Sequence, residues 1–404
     1  MLSVPVRCGA VLKCLFPFGC VSKIVPGVIL VSLRLMSYDI TTQAGFRPKF
    51  CPNPNCNYHK GISPDWKYKK AGYYERLAHP RRIQRFTCLH CKRSFSSQTF
   101  STTYWQKDPE LNRLIFMKTI GGMCHRQIAR DLGISPETVE HHVGRIGRHC
   151  MLLHTVMMPL GPPPTNVVID GFETFEWSQY FPFHHNLAIE KGVDFMIYFN
   201  DSELRRKGRM TKTQRTRRTE LEQQHGRPDP KAIRNGIADL LDVVCTGSRQ
   251  VTIDSDDHPS YRQPIRKMGD RVIHRVTPGS AKRTKDNNLW EANLADLVLR
   301  HSSANHKRET ISWSKRRQNS SERLAIYLVW RNYMKGRREK ERGSPTPAMV
   351  RGMLDRPLTV DDILGERLFA TRIELPSRWR KYYDKRVVTR AMGRQRVHEL
   401  KYAY

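Results

Sequence analysis

Two short apolar runs each lead into carboxylates: Asn166-Val-Val-Ile-Asp170 and Val251-Thr-Ile-Asp-Ser-Asp256. Runs this short and rich in β-branched residues read as buried strands, so the chain must build a sheet with acids at or near its strand ends. Acids are scarce, with 38 Asp and Glu against 70 Lys and Arg. Burying two of them costs on the order of several kcal/mol unless something compensates. A pair of divalent cations would do so, and a two-metal site suits in-line displacement at phosphorus. Strand alternation puts Asp254 and Asp256 on one face and Asp257 on the other. Asp256 is the preferred second acid because it lies nearer the strand end, before the turn-like run Asp257-His-Pro-Ser-Tyr261; Asp254 is the alternative. A third acid, Glu322, falls on a helix expected over Ser321–Met334, docked through Leu324, Ile326, Leu328 and Val329.

At 404 residues the chain exceeds one ordinary core, and two or three domains are expected. Its net charge of +32 points to a polyanionic partner, with nucleic acid foremost. No apolar run reaches the roughly 18 residues of a membrane span, so no membrane partner is expected. The ten cysteines lack the dense spacing of a secreted disulfide scaffold and fit a reducing, cytoplasmic setting. Met1–Leu35 carries no Asp or Glu and is interrupted by Lys13, Pro17, Lys23 and Pro26. It reads either as a targeting peptide or, preferably, as a segment ahead of a working start at Met36.

Four cysteines stand in pairs, Cys51-Pro-Asn-Pro-Asn-Cys56 and Cys88-Leu-His-Cys91. Two such knuckles supply the four ligands of a closed tetrahedral Zn2+ site, which makes the site structural. Phe50, Tyr73, Tyr74 and Phe95 are expected to pack around it, and His59 and His90 are spare ligands.

His125 to Val143 carries a helix-turn-helix pattern. Ile128, Ala129 and Leu132 mark one helix, and Gly133 supplies the turn. Ser135 is an N-cap and Pro136 a first helical residue, while Val139, Val143 and Ile146 continue the apolar face. A second helix of this kind enters the major groove, with Glu137, Thr138, His141, His142 and Arg145 near base edges or phosphate; Arg126, in the first helix, is a further candidate DNA contact.

The order of these parts resembles insertion-sequence transposases of the DDE class. The stretch Glu309-Thr-Ile-Ser-Trp-Ser-Lys-Arg-Arg-Gln-Asn-Ser-Ser-Glu-Arg-Leu324 is similar to the region around the last acid in members that bear a zinc ribbon. The resemblance covers about residues 46–335. It implies an α/β fold, with an RNase H-like catalytic domain preceded by a small zinc-ribbon-like module and a helix-turn-helix. It also implies Mg2+ (or Mn2+) held by Asp170, Asp256 and Glu322, and phosphodiester cleavage followed by strand transfer. The implied partners are the terminal repeats of its own element, a target duplex and further copies of the chain when two ends are synapsed; the implied location is the cytoplasm, on the nucleoid. The interval from Asp256 to Glu322 departs from the family's pattern, in which the last two acids lie closer together. A non-catalytic DNA-binding regulator and an RNase H-like nuclease without strand transfer are the competing readings.

The resulting organisation is an N-terminal extension at 1–45, a zinc module at 46–100 and a helix-turn-helix module at 101–158. After the stiff linker Pro159-Leu-Gly-Pro-Pro-Pro-Thr165 come a catalytic domain at 166–335, with a basic insertion at about 203–229, and a basic tail at 336–404. In the tail, Trp379, Tyr382 and Tyr383 read either as stacking groups or as core.

Overall fold

The computed structural model describes residues 45–307 and 310–392. The expectations for residues 1–44, and for Arg308 and Glu309 of the family-like stretch, lie outside these. Tyr68–Glu75 (β1), Arg82–Cys88 (β2) and Ser94–Ser96 (β3) form an antiparallel sheet in that order. Beside it Cys51, Cys56, Trp66 and Cys88 make one small core, with Tyr58, Tyr68 and Phe95 against it. Phe50 packs instead with Phe100 and Phe369. Tyr73 and Tyr74 do not join either core: they are 47% and 37% exposed on β1, an edge strand of mostly exposed residues, and Arg82 lies over the Tyr73 ring.

Three helices follow: Leu111–Ile120 (α1), His125–Leu132 (α2) and Pro136–Met157 (α3). The turn between α2 and α3 forms as its residues require. Gly133 adopts φ +64°, and the Ser135 hydroxyl accepts from the Thr138 N–H at 3.1 Å. The second helix runs well past the length of a recognition helix. Its C-terminal half, including Arg148, His149 and His154, is buried in the body of the protein.

The central sheet has five strands in the order β6-β5-β4-β7-β8: Asn166–Phe175 (β4), Pro182–Glu190 (β5), Phe195–Glu203 (β6), Val251–Asp256 (β7) and Val272–Thr277 (β8). Strands β4, β5 and β6 are antiparallel neighbours, whereas β7 and β8 run parallel to β4, giving a mixed sheet. The apolar runs Val167–Ile169 and Phe195–Phe199 are buried throughout, as strands covered on both faces must be. The insertion after β6 contains Lys212–His225 (α4), closed at its start by a capping box between Thr211 and Gln214. Ala232–Val244 (α5) follows and packs on β5 and β6. Pro259–Lys267 (α6) comes after β7.

Trp290–Ser302 (α7) lies against β4 and β5, and Arg317–Val329 (α8) packs along α3 before ending in a π-helical turn, Trp330–Met334. The expected helix over Ser321–Met334 is thus present but begins one turn earlier. The tail folds back as Pro347–Val350 (α9), Val360–Leu364 (α10) and Ser377–Tyr383 (α11). Its aromatics are core: Trp379, Tyr382 and Tyr383 are buried, and the Trp379 indole donates to the Phe199 carbonyl at 2.7 Å. No helix among the described residues is long and apolar enough to cross a membrane.

Candidate functional site

Register brings the first two acids together. Val168 pairs with Asp254 and Ile169 with Ser255, so the next step sets Asp256 abreast of Asp170. Asp170 feels that neighbour. Burial raises its pKa, the Gly171 N–H bonded at 2.7 Å opposes the rise, and the charges of Asp256 and Asp296 add to it, bringing it to about 6. Arg283 is the cation that acts in the opposite direction. Asp256 keeps some exposure and accepts the His258 N–H at 3.1 Å.

The two candidates on β7 have different fates. Asp254 has 0% side-chain exposure and is enclosed by cations: Lys191 Nζ at 2.9 Å, and Arg275 through Nε at 2.9 Å and Nη2 at 3.0 Å. All of its acceptor capacity is engaged in holding β7 to its surroundings. Asp256 has no such partners and stands at the strand end.

Glu322 does not join them. Its side chain is 4% exposed, and its Oε1 accepts from Arg148 on α3 at 2.8 Å and from Gln318 at 3.0 Å. The other oxygen lies toward Gly144, where a Cβ would come within 3.0 Å of it. The glutamate that resembled the family's last acid is therefore sealed into the α3–α8 interface, where a buried guanidinium neutralises it.

A further carboxylate whose charge acts on Asp170 is Asp296, on α7. It retains 28% side-chain exposure, and Arg300, one turn on, holds both its oxygens at 2.9–3.0 Å while lying over the Phe172 ring. Sequence reasoning missed Asp296 because Leu-Ala-Asp-Leu-Val inside a helix looks like an ordinary surface turn. The available signal was the interval from Asp256, which is much shorter to Asp296 than to Glu322. Among the described residues the four thiols below are the one group gathered at metal-ligand spacing, and these aspartates do not form another.

The cysteine quartet is compact. The four Sγ atoms lie within 4.8 Å of one another, with Cys51 and Cys91 at 3.6 Å. Bonds of about 2.3 Å to a tetrahedral zinc fit such a cluster. Burial raises the Cys51 and Cys56 thiols. At Cys88 burial acts the same way, but the Trp66 indole N–H at 3.2 Å and nearby backbone N–H groups outweigh it and bring the thiol down to about 7. Four thiols gathered around one point, three of them buried, could hold a structural metal such as zinc. Neither spare histidine belongs to the cluster. His59 spends its ring nitrogens on the Cys51 carbonyl at 2.8 Å and the Thr371 hydroxyl at 2.7 Å, and His90 is exposed against Tyr58.

The helix-turn-helix residues separate by exposure. Arg126, Glu137 and His141 are exposed and Thr138 is half-buried. His142 is removed from the DNA-facing set: its Nδ1 pairs with Asn112 Oδ1 at 2.7 Å, and burial, helped by Arg145, lowers its pKa to about 4. Arg145 is half-buried and donates to the Tyr104 carbonyl. The helical period explains this, because positions three and four from Val139 share its buried side.

No protein-family model matches the chain, and no curated protein matches it. Among solved structures, a chain of the simian T-cell lymphotropic virus intasome in complex with PP2A regulatory subunit B56 gamma is similar at 9% identity and a TM-score of 0.25, over 48% of this chain and 57% of that one. The catalytic domain of Mos1 mariner transposase is similar at 11% identity and a TM-score of 0.18, over 46% of this chain and 86% of that one. This chain thus spans little more than half of the intasome chain that it matches. Overlaps this loose leave the functional reading to the residues themselves.

Proposed function

We propose that this protein is a DNA transposase of the DDE class in which the third acid is an aspartate, Asp296, and in which the β4–β8 sheet and its helices form an RNase H-like catalytic body. The observation that carries this reading is the register that sets Asp256 abreast of Asp170, with the charge of Asp296 on α7 acting on Asp170, in a chain of net charge +32. A buried aspartate raised by the charges of neighbouring carboxylates is a place where a divalent metal would relieve the repulsion. Mg2+ or Mn2+ held there supplies polarisation of a phosphate oxygen and activation of an attacking hydroxyl.

The chain's own groups prepare that site. Gly171 fixes one oxygen of Asp170, His258 fixes one of Asp256, and Arg300 holds Asp296 from its outer side. Arg283 brings positive charge to the same place, suited to a phosphate. Glu322 acts in a positioning role, tying α3 of the helix-turn-helix to α8 through Arg148. The zinc module and the exposed residues Arg126, Glu137, Thr138 and His141 would engage the terminal repeats of the element, with a target duplex bound during joining. Two ends synapsed together would require a homo-oligomer, working on the cytoplasmic nucleoid.

The test is joining. Given Mg2+ and DNA carrying the ends of its element, the protein should expose a 3′-hydroxyl and transfer it to a second duplex. Cleavage that never proceeds to joining would make it a nuclease, and specific binding without metal-dependent cleavage would make it a regulator.

A further inference from the structure

The hairpin that leaves the catalytic strand ends in an aromatic and basic cluster with no part in the chemistry above. Trp177, just past β4, is 44% exposed. Its φ is +57°, in the left-handed region that L side chains avoid and where a turn usually places glycine. A large indole held in that conformation at the surface calls for a reason outside local folding. The surrounding contacts hold it there: its N–H donates to the Lys315 carbonyl at 3.2 Å, and its carbonyl accepts the Trp313 indole N–H at 3.1 Å. Trp313 in turn packs on Phe175 with ring centroids 5.3 Å apart, and the Lys315 ammonium lies 3.7 Å over its ring.

A cation stands beside the exposed indole: Lys315, whose backbone carbonyl accepts the Trp177 N–H, is itself exposed and carries its ammonium over the neighbouring Trp313 ring. At about 3.3 Å per residue, Phe175 stands roughly 17 Å along β4 from Asp170, so the cluster is a few nucleotides from the catalytic carboxylates. An exposed flat ring with a lysine beside it matches one ligand chemistry, a nucleobase with its phosphate. A base inside a duplex already has both faces covered by its neighbours, so only an unstacked base can lie on Trp177.

Building on the proposed transposase site, we propose that Trp177, braced by Trp313, is a stacking platform for an unpaired nucleotide of the bound DNA strand, with Lys315 meeting its phosphate. The platform keeps a melted strand close to the carboxylates and gives the protein a preference for single-stranded or frayed DNA.

Binding is measured with the full chain in chelator, so that no catalysis is required and failure of the catalytic assignment leaves the result readable. The probes are a fluorescent oligothymidylate of about 15 nucleotides and a duplex of equal length. Trp177→Ala should weaken binding of the single strand by roughly fivefold to a hundredfold, the range of one lost stacking contact. Trp177→Phe should retain most of the affinity, and duplex affinity should stay within about twofold for both variants. Quenching of tryptophan fluorescence by the oligonucleotide should shrink in Trp177→Ala, with thermal melting unchanged. Wild-type single-strand affinity in Trp177→Ala, or equal losses on single strand and duplex, would overturn the proposal. A lowered melting temperature in Trp177→Ala together with loss of single-strand binding in Trp177→Phe would also overturn it, since the ring would then be holding the fold.

Discussion

Glu322 and Arg148 are nearly excluded from water, at 4% and 3% side-chain exposure, and each is the other's counter-charge. A buried pair of this kind adds little net stability, yet removing one member strands the other. Arg148→Ala should therefore destabilise the protein by about 3–5 kcal/mol, while the apolar replacement of both, Arg148→Met with Glu322→Leu, should recover most of that loss. Urea unfolding of the two variants checks this; an Arg148→Ala variant as stable as wild type would mean that water reaches Glu322. Single residues were unevenly legible in the sequence. The gathering of the four cysteines was legible because paired knuckles have a local signature, and the place of Asp170 on a strand because an apolar run leads into it. The burial of Glu322 against α3 was not, because helical pattern alone does not say which side of a helix faces a sheet and which faces another helix. The choice between Asp254 and Asp256 depended on Lys191 and Arg275, which arrive from other strands and loops.

Helices α3 and α8 pack closely because α3 offers glycine at the contact. A Cβ on Gly147 would stand 2.3 Å from the Glu322 carbonyl oxygen, a backbone atom that cannot move without α8. Gly147→Ala should cost about 1–3 kcal/mol or more despite the better helix propensity of alanine, read as a lowered melting temperature. A gain in stability would show that the helices are held apart by something else. At this scale the sequence was informative. The turn at Gly133 follows from its capping residues, and the strands from Asn166 and Val251, like the helix expected over Ser321–Met334 and found from Arg317, follow from apolar pattern. The length of α3 did not, since its buried second half carries Arg148, His149 and His154, polar residues whose partners come from distant segments. The tail's place in the core was equally hidden. Trp379 and Tyr382 are aromatic enough for a core, but the pattern does not name the strand, β6, that they cover.

Across the molecule, buried histidines set a response to acid. Burial, the leading cause in each case, lowers His142, His149, His154 and His185 to about 4 from an ordinary 6.5. The unfolded chain takes up protons below pH 6.5 that the folded chain refuses until about pH 4. Stability contributed by these groups is thus complete above 6.5 and lost as pH falls toward 4, with a slope approaching about 1.4 kcal/mol per pH unit for each histidine. Unfolding midpoints measured between pH 7 and 5 should fall steeply, and a flat profile would show the imidazoles to be solvated. The same overall assembly lays α7 on β4 and turns α8 toward α3, which is the ground for proposing Asp296 rather than Glu322 as the third acid. The most direct test compares Asp296→Asn with Glu322→Gln in metal-dependent cleavage of DNA, alongside Asp170→Asn and Asp256→Asn. The three aspartate variants should each lose at least about a hundredfold in rate while keeping DNA affinity, and Glu322→Gln should keep most of its cleavage rate once folded. Full cleavage by Asp296→Asn with none by a folded Glu322→Gln would contradict the assignment and return the third position to the glutamate.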